Sequence, residues 1–243
     1  SQFFRKNISV SRRNSAGRAG GSTDAAREHR AIFEAILVTH EHPDHLDPAT
    51  LTALAGDSVP LIVNPAVHAK LPEALKARAT AMENGAQGDV LGLPLTAVPA
   101  YNTTPDRLQY HPKGRDNGYV LTAPDEGRIY VAGDTEDTPE FRAQKDIDTV
   151  FLPMNLPFTM TAEQAAAGVA EMKPRRAVPY HHRGTNPAEF GARLAAMGVR
   201  VVRAAARFGG EHVHQRRRAA VGQVGRVAHE VAERRHVERA RLR

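Results

Sequence analysis

The chain alternates short apolar runs with longer segments in which apolar residues recur at helical spacing. Short β-favouring runs bounded by turn signals predict strands, and they lie at 36–38, 59–63, 95–100, 128–132 and 177–180. Helices are predicted at 48–55, 65–81 with an interruption at Pro72, 161–173 and 186–198. Thr161 and Gln164 form a capping box at the start of the third of these helices. This alternation predicts a layered α/β domain.

The two ends of the chain depart from this pattern. Residues 1–30 hold seven Lys/Arg against two Asp/Glu, and residues 208–243 hold nine against four. Each end therefore carries +5 and residues 31–207 carry −4, so the net charge of +6 is a property of the ends. We predict a folded domain over 31–207, a basic N-terminal segment over 1–30 with a capped helix from Ser22 to Ala35, and an Arg-rich tail or exposed helix over 208–243.

Composition limits the compartment and the ligand chemistry. Cysteine is absent, so the chain has neither a disulfide framework nor a thiolate zinc site. No apolar run approaches the roughly 18 residues of a membrane span, and no signal-peptide pattern stands at the start. We therefore expect a soluble, cytoplasmic protein without a membrane partner.

The strongest chemical signal follows the first apolar strand, in the hexapeptide His40-Glu41-His42-Pro43-Asp44-His45. The strand places these residues on the loop that leaves its end. His40 and His42 can turn to one side while Asp44 and His45 turn to another, which suits two adjacent cations better than one. The loop is therefore a candidate dinuclear metal site with imidazole and carboxylate ligands.

The His-X-His-X-Asp-His pattern resembles that of the metallo-β-lactamase superfamily. The resemblance implies a four-layer αββα sandwich with the metal site at one edge of its two sheets, here with N-terminal strands that are incomplete. It also implies two downstream ligands at strand ends: Asp134, in the role of the metal-bridging aspartate, and His181, as the last histidine. His182, next to it, is expected to line the pocket or to support the ligands.

One position departs from the superfamily pattern. A further histidine is expected after a strand such as 95–100, where this chain has Tyr101 and Asn102. Asn102 could bind a metal weakly through its amide oxygen, and His111 could supply a nitrogen instead. A substrate contact or an ordinary loop position is the preferred interpretation of His111. We therefore expect the metal bound by His40 and His42 to be the weaker of the two.

The residues around the motif indicate a branch of the superfamily. The hexapeptide continues Leu46-Asp47-Pro48, without the early glycine of the β-lactamases, glyoxalase II thioesterases and RNA-processing nucleases. Segments 98–102, 111–114 and 118–121 are similar to the branch that contains ascorbate-6-phosphate lactonase and uncharacterised bacterial and archaeal hydrolases. The resemblance implies two divalent ions, expected to be zinc with manganese or iron as alternatives. A bridging hydroxide would attack a small ester, lactone or phosphoester, with Asp44 and Asp134 as the catalytic carboxylates.

Three other functions stay open: a nucleic-acid phosphodiesterase that uses the basic ends, a β-lactamase-type amide hydrolase, and a catalytically weak metal-binding protein. Nucleic acid is the less favoured partner, because the charged ends lie outside the segment that carries the ligands. Lys113, Arg115 and Arg183 are candidates to bind a phosphate or carboxylate of a small-molecule substrate, with plain surface charge as the equal alternative. A homo-oligomer is compatible with the atypical ends. His68 is expected to be a surface or packing residue.

Overall fold

A computed structural model of the protein describes residues 2–4, 34–195 and 197–201. Within these residues the strands are β1 (Gln2–Phe4), β2 (Ala35–Leu37), β3 (Leu61–Val63), β4 (Ala79–Ala81), β5 (Gln87–Val90), β6 (Leu93–Ala100), β7 (Asp116–Ala123), β8 (Gly127–Val131), β9 (Thr149–Pro153), β10 (Arg176–Tyr180) and β11 (Arg200–Val201). The α-helices are α1 (Pro48–Ala55), α2 (Pro65–Lys70), α3 (Glu73–Lys76), α4 (Pro139–Arg142), α5 (Ala162–Met172) and α6 (Pro187–Ala195), and a short 3-10 helix spans Pro105–Arg107.

The strands form two sheets. The first has the order β1-β2-β3-β4, in which β1 is antiparallel to β2 and the other neighbours are parallel. The second has the order β11-β10-β9-β8-β7-β6-β5. In this sheet β8 to β11 are parallel, whereas β5 to β8 alternate in direction. Because side chains alternate along a strand, each sheet can bury both of its faces.

Three apolar clusters show how the layers stack. Ile36 packs with buried residues of α1, α2 and α3 on the outer face of the first sheet. Leu37, its neighbour in the chain, points the other way and packs with Tyr119 of the second sheet. On the far face of the second sheet, Tyr130 packs with Phe141 and with residues of α5 and α6. The order of layers is helix, sheet, sheet, helix, which confirms the four-layer αββα sandwich.

Most of the predicted elements are present, with two corrections. The capping box of Thr161 and Gln164 begins α5, as predicted. The helix predicted over 65–81 is wrong at its end: the chain turns after α3, and residues 79–81 pair with β3 as strand β4. Ala35, the last residue of the predicted N-terminal helix, begins β2 instead. The rest of that helix and the 208–243 tail lie outside the described residues.

The sheet topology brings several strand ends to one edge. Strands β6, β8 and β10 all run in the same direction, because β7 is antiparallel to both of its neighbours and β8 to β10 are parallel. Their carboxyl ends lead to Asn102, Asp134 and His181, and the amino end of β7 brings Asp116 to the same edge. Tyr119 donates a hydrogen bond across to Val38 O of the first sheet at 3.2 Å. The loop after β2 therefore meets these residues.

The described helices include none that is long and apolar enough to cross a lipid bilayer.

Gly118 on β7 offers a test of the packing at this edge. A Cβ atom at this position would lie 2.6 Å from Ala132 O and 2.8 Å from Val131 O, both backbone atoms. We expect Gly118→Ala to lower the free energy of unfolding by about 1–3 kcal/mol, because the backbone must move to relieve the overlap. Gly88→Ala is the control, since its Cβ would meet Met82 Cε at an ordinary 3.7 Å. Equal denaturant midpoints for the two variants would contradict the close approach.

Candidate metal centre

The hexapeptide lies on a compact turn between β2 and α1. His45 N and Leu46 N both donate hydrogen bonds to His42 O, at 2.9 and 2.8 Å. Leu46 is buried in the cluster that holds the first sheet to its helices. Asp47 then caps α1 by accepting hydrogen bonds from Ala49 N and Thr50 N. The turn is thus fixed at its start by β2 and at its end by a capped helix.

Seven side chains from four segments meet at this edge. Their ligand atoms form three overlapping groups, within each of which all atoms lie within 4.8 Å of one another. The groups are His40, His42 and His111; His40, His45 and Asp134; and Asp44, His45 and His181. The structure therefore brings together all six ligands expected from the motif, and it adds His111 to the side of His40 and His42.

The Asp134 carboxylate lies at the middle of the cluster. Its Oδ2 atom is 3.9 Å from His40 Nε2, 3.5 Å from His45 Nε2, 3.8 Å from His111 Nε2 and 3.5 Å from His181 Nε2. These four imidazoles come from three different loops, and the same carboxylate atom lies next to each of them. Asp134 is itself almost fully buried.

The glycine before Asp134 is required by the backbone. Gly133 has φ +73°, a conformation that L side chains rarely adopt. A Cβ there would also lie 2.8 Å from Asn117 O and 3.3 Å from Thr39 Cβ. Gly133 thus lets the chain turn sharply at the end of β8 while passing close to β7, which delivers the Asp134 side chain to the centre of the cluster.

His181 is held in a strained conformation at the end of β10. Its φ is +45°, which is uncommon for a residue with a side chain. Its Nε2 atom lies 3.0 Å from Asp44 Oδ2. Met154 N donates to His181 O at 3.2 Å, and Tyr180 donates from its hydroxyl to Gly133 O at 2.9 Å. Backbone strain at a site that several contacts fix in place is typical of a functional position.

His111 is oriented by a buried carboxylate. Its Nδ1 atom lies 3.0 Å from Asp116 Oδ2, which leaves Nε2 directed at the cluster. Asp116 also accepts hydrogen bonds from Arg115, at 2.7 Å to Oδ1 and 2.9 Å to Oδ2. In the same way Thr39 Oγ1 lies 3.0 Å from Nδ1 of His40. Both partners fix a ring orientation, and the Asp116 carboxylate, as an acceptor, also favours the His111 tautomer with its proton on Nδ1.

Asn102 stands where the superfamily pattern places a histidine, and its hydrogen bonds connect two loops. Its amide NH2 donates to Arg107 O at 3.0 Å and to Phe158 O at 2.8 Å, and its backbone N–H donates to His111 O at 2.8 Å. Its Oδ1 atom is buried without a hydrogen-bond partner among the described residues. Asn102 therefore joins the loop that carries His111 to the loop after β9.

Burial and charge set the protonation of the cluster. Burial lowers the pKa of His40 well below its usual value, and the neighbouring His45 lowers it further. Burial also lowers the pKa of His42, together with His111 and Arg115. Burial opposes ionisation of Asp134, but the surrounding imidazoles, His45 first, bring its pKa well below the ordinary range. The lowered pKa values favour the unprotonated rings of His40 and His42, the form in which an imidazole binds a metal.

Asp44 and His181 behave as a pair on the open side of the cluster. The hydrogen bond from His181 lowers the pKa of Asp44 to about 2. Burial lowers the pKa of His181, but the bond to Asp44 and the charge of Asp134 outweigh this effect and raise it. The Asp44 side chain is 62% exposed, so its carboxylate is the most accessible of the candidate ligands.

The buried polar atoms of the cluster fit a bound cation. His40 Nε2, His45 Nε2 and Asp134 Oδ1 are buried without hydrogen-bond partners in the described part of the chain. Each such atom costs about 1–3 kcal/mol if it stays unsatisfied. A divalent ion would satisfy them together, and nitrogen and oxygen donors of this kind suit zinc, manganese and iron.

The other predicted site residues lie around the cluster or away from it. Arg115 is half-buried, with one terminal nitrogen 3.4 Å from His42 Nε2. Lys113 is exposed, with Nζ 4.8 Å from the centre of the Tyr101 ring and 3.6 Å from Glu140 Oε1. His182 is half-buried and Arg183 is exposed, and neither belongs to a metal-binding group among the described residues. His68 is half-buried on α2, outside these groups.

The sequence interpretation missed the residues that orient the histidines. Thr39 precedes the first histidine directly, so its position could have suggested contact with the His40 ring. Asp116 lies five residues after His111 with Gly114 between them. Nothing in its local sequence distinguishes it from a surface aspartate, because its burial depends on the register of β7 against β6 and on the course of the loop.

Comparison with known proteins establishes the family. Residues 17–182 match the sequence family described as the beta-lactamase superfamily domain. With the αββα fold and the clustered motif residues, this match shows that the chain belongs to the metallo-β-lactamase superfamily.

Two relatives of known sequence are named as metal-dependent hydrolases of one group. The chain is 31% identical over 173 residues to the UPF0173 metal-dependent hydrolase of Pyrobaculum calidifontis, covering 67% of this chain and 73% of that protein. It is 32% identical over 165 residues to the UPF0173 metal-dependent hydrolase of Pyrococcus horikoshii, covering 64% of this chain and 71% of that protein. Both relatives are named as metal-dependent hydrolases.

Two solved structures are similar to the chain, at different levels of identity. A Parabacteroides distasonis protein assigned as a metal-dependent hydrolase shares 42% identity with a TM-score of 0.65, over 70% of this chain and 76% of that one. Igni18, a metallo hydrolase from the archaeon Ignicoccus hospitalis, has a TM-score of 0.57 at 21% identity, over 70% of this chain and 76% of that one. At this lower identity the second likeness shows the fold alone.

Metal addition should stabilise the chelated protein. A ligand that binds only the folded state adds about 2.7 kcal/mol to the free energy of unfolding at 100 times its Kd. We expect zinc to raise the melting temperature of the unmodified chain and of His68→Ala, and to raise that of His42→Ala much less. Differential scanning calorimetry with and without zinc measures the effect. An unmodified chain that gains no stability from zinc, manganese or iron would contradict the metal centre.

Proposed function

We propose that the protein is a metal-dependent hydrolase that uses two divalent ions, with zinc as the first candidate, on a small ester, lactone or phosphoester. The observation that carries the proposal is the arrangement of four imidazole nitrogens around one buried carboxylate oxygen, Asp134 Oδ2. The names of the related proteins, which are metal-dependent hydrolases, support the same activity.

The side chains divide into two ligand sets. His40, His42 and His111 would hold one ion, and Asp44, His45 and His181 the other. Asp134 lies between the two sets and would contact both ions. This division follows the superfamily pattern with one difference. The pattern has a histidine ligand at the position of Asn102, and here His111 would supply that ligand instead.

The protein groups of the cluster would hold the ions and set the charge around them. When bound, a pair of divalent ions would lower the pKa of a water molecule and polarise the substrate oxygen. The buried Asp134 keeps its negative charge at the centre, and Thr39 and Asp116 contact the Nδ1 atoms of His40 and His111, which orients both rings. The Asp44 carboxyl group is ionised and its side chain is exposed, so it can accept a hydrogen bond from a water molecule on the open side of the cluster and orient it.

Arg115 is the candidate group for an anionic part of the substrate. Its guanidinium is held by two hydrogen bonds to Asp116 and lies beside His42, so its charge is fixed at the rim of the cluster. Arginine in this setting binds carboxylate or phosphate oxygens through directed, charge-assisted hydrogen bonds. Lys113 and Arg183 are exposed and would act only as weaker, more mobile charges.

The second candidate function is a nucleic-acid phosphodiesterase, and only the basic ends of the chain favour it. Residues 31–207, which carry the cluster, have a net charge of −4. A surface of this sign does not attract a phosphate backbone. The small-molecule substrate is therefore preferred, and β-lactam hydrolysis and weak metal binding without turnover remain outcomes of the assay.

A substrate screen with matched variants tests the activity. We expect metal-loaded protein to hydrolyse at least one member of a panel of p-nitrophenyl esters, lactones, bis-p-nitrophenyl phosphate and a β-lactam. Asp134→Asn should lower turnover at least about 100-fold, because the carboxylate between the two ligand sets loses its charge. The control is Asp137→Asn, on the same turn but paired with Arg142. Unchanged turnover in Asp134→Asn, or in exhaustively chelated protein, would overturn the proposed mechanism.

The third ligand of the first ion can be tested separately. We expect His111→Ala to weaken one of the two zinc ions about tenfold or more, because the set of His40 and His42 loses its third nitrogen. Asn102→Ala should retain two ions per chain while lowering thermal stability, since it removes two hydrogen bonds of its NH2 group. Zinc titration of the apo-proteins against a chromophoric chelator measures both. Loss of an ion in Asn102→Ala but not in His111→Ala would reverse the assignment.

A further inference from the structure

Glu136 accepts an unusually complete set of hydrogen bonds. Its carboxylate is fully buried. Oε2 accepts from Thr103 N at 2.8 Å, Thr103 Oγ1 at 2.7 Å and Thr104 N at 2.8 Å. Oε1 accepts from Thr104 Oγ1 at 2.7 Å and from Arg107 at 2.9 Å. Only an ionised carboxylate can accept from all of these donors at once.

All five donors belong to one connection, the His111 loop, which we define as residues 101–115 between β6 and β7. The outer side of this loop is solvent-exposed at residues 105, 106, 108 and 109. The backbone of Glu136 adds a further link, because its N–H donates to Tyr101 O at 3.0 Å. Glu136 thus fixes residues 103–107 of the loop, whose two ends are buried at Asn102 and His111.

The residues that bond to Glu136 are connected to His111 through Asn102. Thr103 follows Asn102, whose N–H donates to His111 O at 2.8 Å. Arg107, the charged partner of Glu136, also offers its carbonyl oxygen to the Asn102 NH2 group at 3.0 Å. Glu136 is itself two residues after Asp134 on the turn that leaves β8. One carboxylate therefore couples the position of His111 to the position of Asp134.

We propose that Glu136 is a positioning residue for the metal set of His40, His42 and His111. By fixing residues 103–107 to the Asp134 turn, it sets the distance between His111 Nε2 and Asp134 Oδ2, which is 3.8 Å. The inference rests on the proposed function, because it assumes that His111 holds one of two ions. It extends that function because Glu136, which is not part of the superfamily motif, would determine where His111 lies relative to His40 and His42.

The test compares stepwise zinc affinities in Glu136→Gln, Asp137→Asn and the unmodified chain. A glutamine amide keeps one acceptor oxygen but presents NH2 either to Arg107 or to the backbone N–H groups of Thr103 and Thr104. We expect the ion that His111→Ala weakens to be bound about tenfold more weakly in Glu136→Gln, the usual size of an outer-shell effect. The other ion should change less than about threefold, and Asp137→Asn should change neither.

Cobalt(II) absorption supplies a readout that does not depend on turnover. The visible band of the weaker ion should shift or lose intensity in Glu136→Gln, because the third nitrogen no longer keeps its place. A purely structural role would lower the melting temperature of the apo-protein and leave the ratio of the two affinities and the cobalt spectrum unchanged. That result would overturn the inference.

A milder variant covers the case in which Glu136→Gln does not fold. Thr104→Val removes one hydroxyl donor to Oε1 and keeps the backbone bond to Oε2. We expect the same ion to weaken about threefold, and no change in its affinity would count against the proposal. If the unmodified chain binds fewer than two ions, the proposed function itself fails. If the unmodified chain binds two ions tightly and the variants bind them with unaltered affinities, only the role of Glu136 is refuted.

Discussion

The constraint on which the whole site depends is a buried negative charge. Asp134 is almost inaccessible to water, and its Oδ1 atom has no hydrogen-bond partner among the described residues. A carboxylate in such a place is costly unless positive charge or donors surround it. Burial keeps His40 and His42 neutral by lowering the pKa of each ring, so these two cannot supply that charge. A metal cation between the imidazoles and the carboxylate would supply positive charge at this point and satisfy the buried polar atoms together.

Much of this arrangement could be predicted from the sequence because its signals are local. The hexapeptide is contiguous, and Asp134 and His181 each follow a recognisable strand with the turn or histidine at its end. Parallel strands bring their carboxyl ends to a common edge, so a motif at one strand end predicts neighbours at the others. The capping box of α5 and the stacking of four layers follow from equally local patterns.

The parts that could not be predicted depend on contacts between distant residues. The strand β4 has the sequence Ala-Thr-Ala, which gives no apolar signal, and it forms because β3 offers an edge for pairing. His111 lies in a loop whose course is set by Glu136, 25 residues further along the chain. Asp116 is identified as the partner of His111 only once the register of β7 is known. In each case the deciding interaction is tertiary, so residue types and spacing alone leave it open.

The connection between β6 and β7 has a consequence for how such sites are recognised in other chains. It joins two adjacent antiparallel strands of one sheet, and the middle of the connection is solvent-exposed, so its length can change without disturbing the pairing of the two strands. An imidazole can therefore enter the cluster from a point well along the loop, as His111 does, rather than directly from the end of the strand. A search that requires histidine at the Asn102 position would discard a chain of this kind. A criterion based on the position of the ring nitrogen relative to the buried carboxylate would retain it.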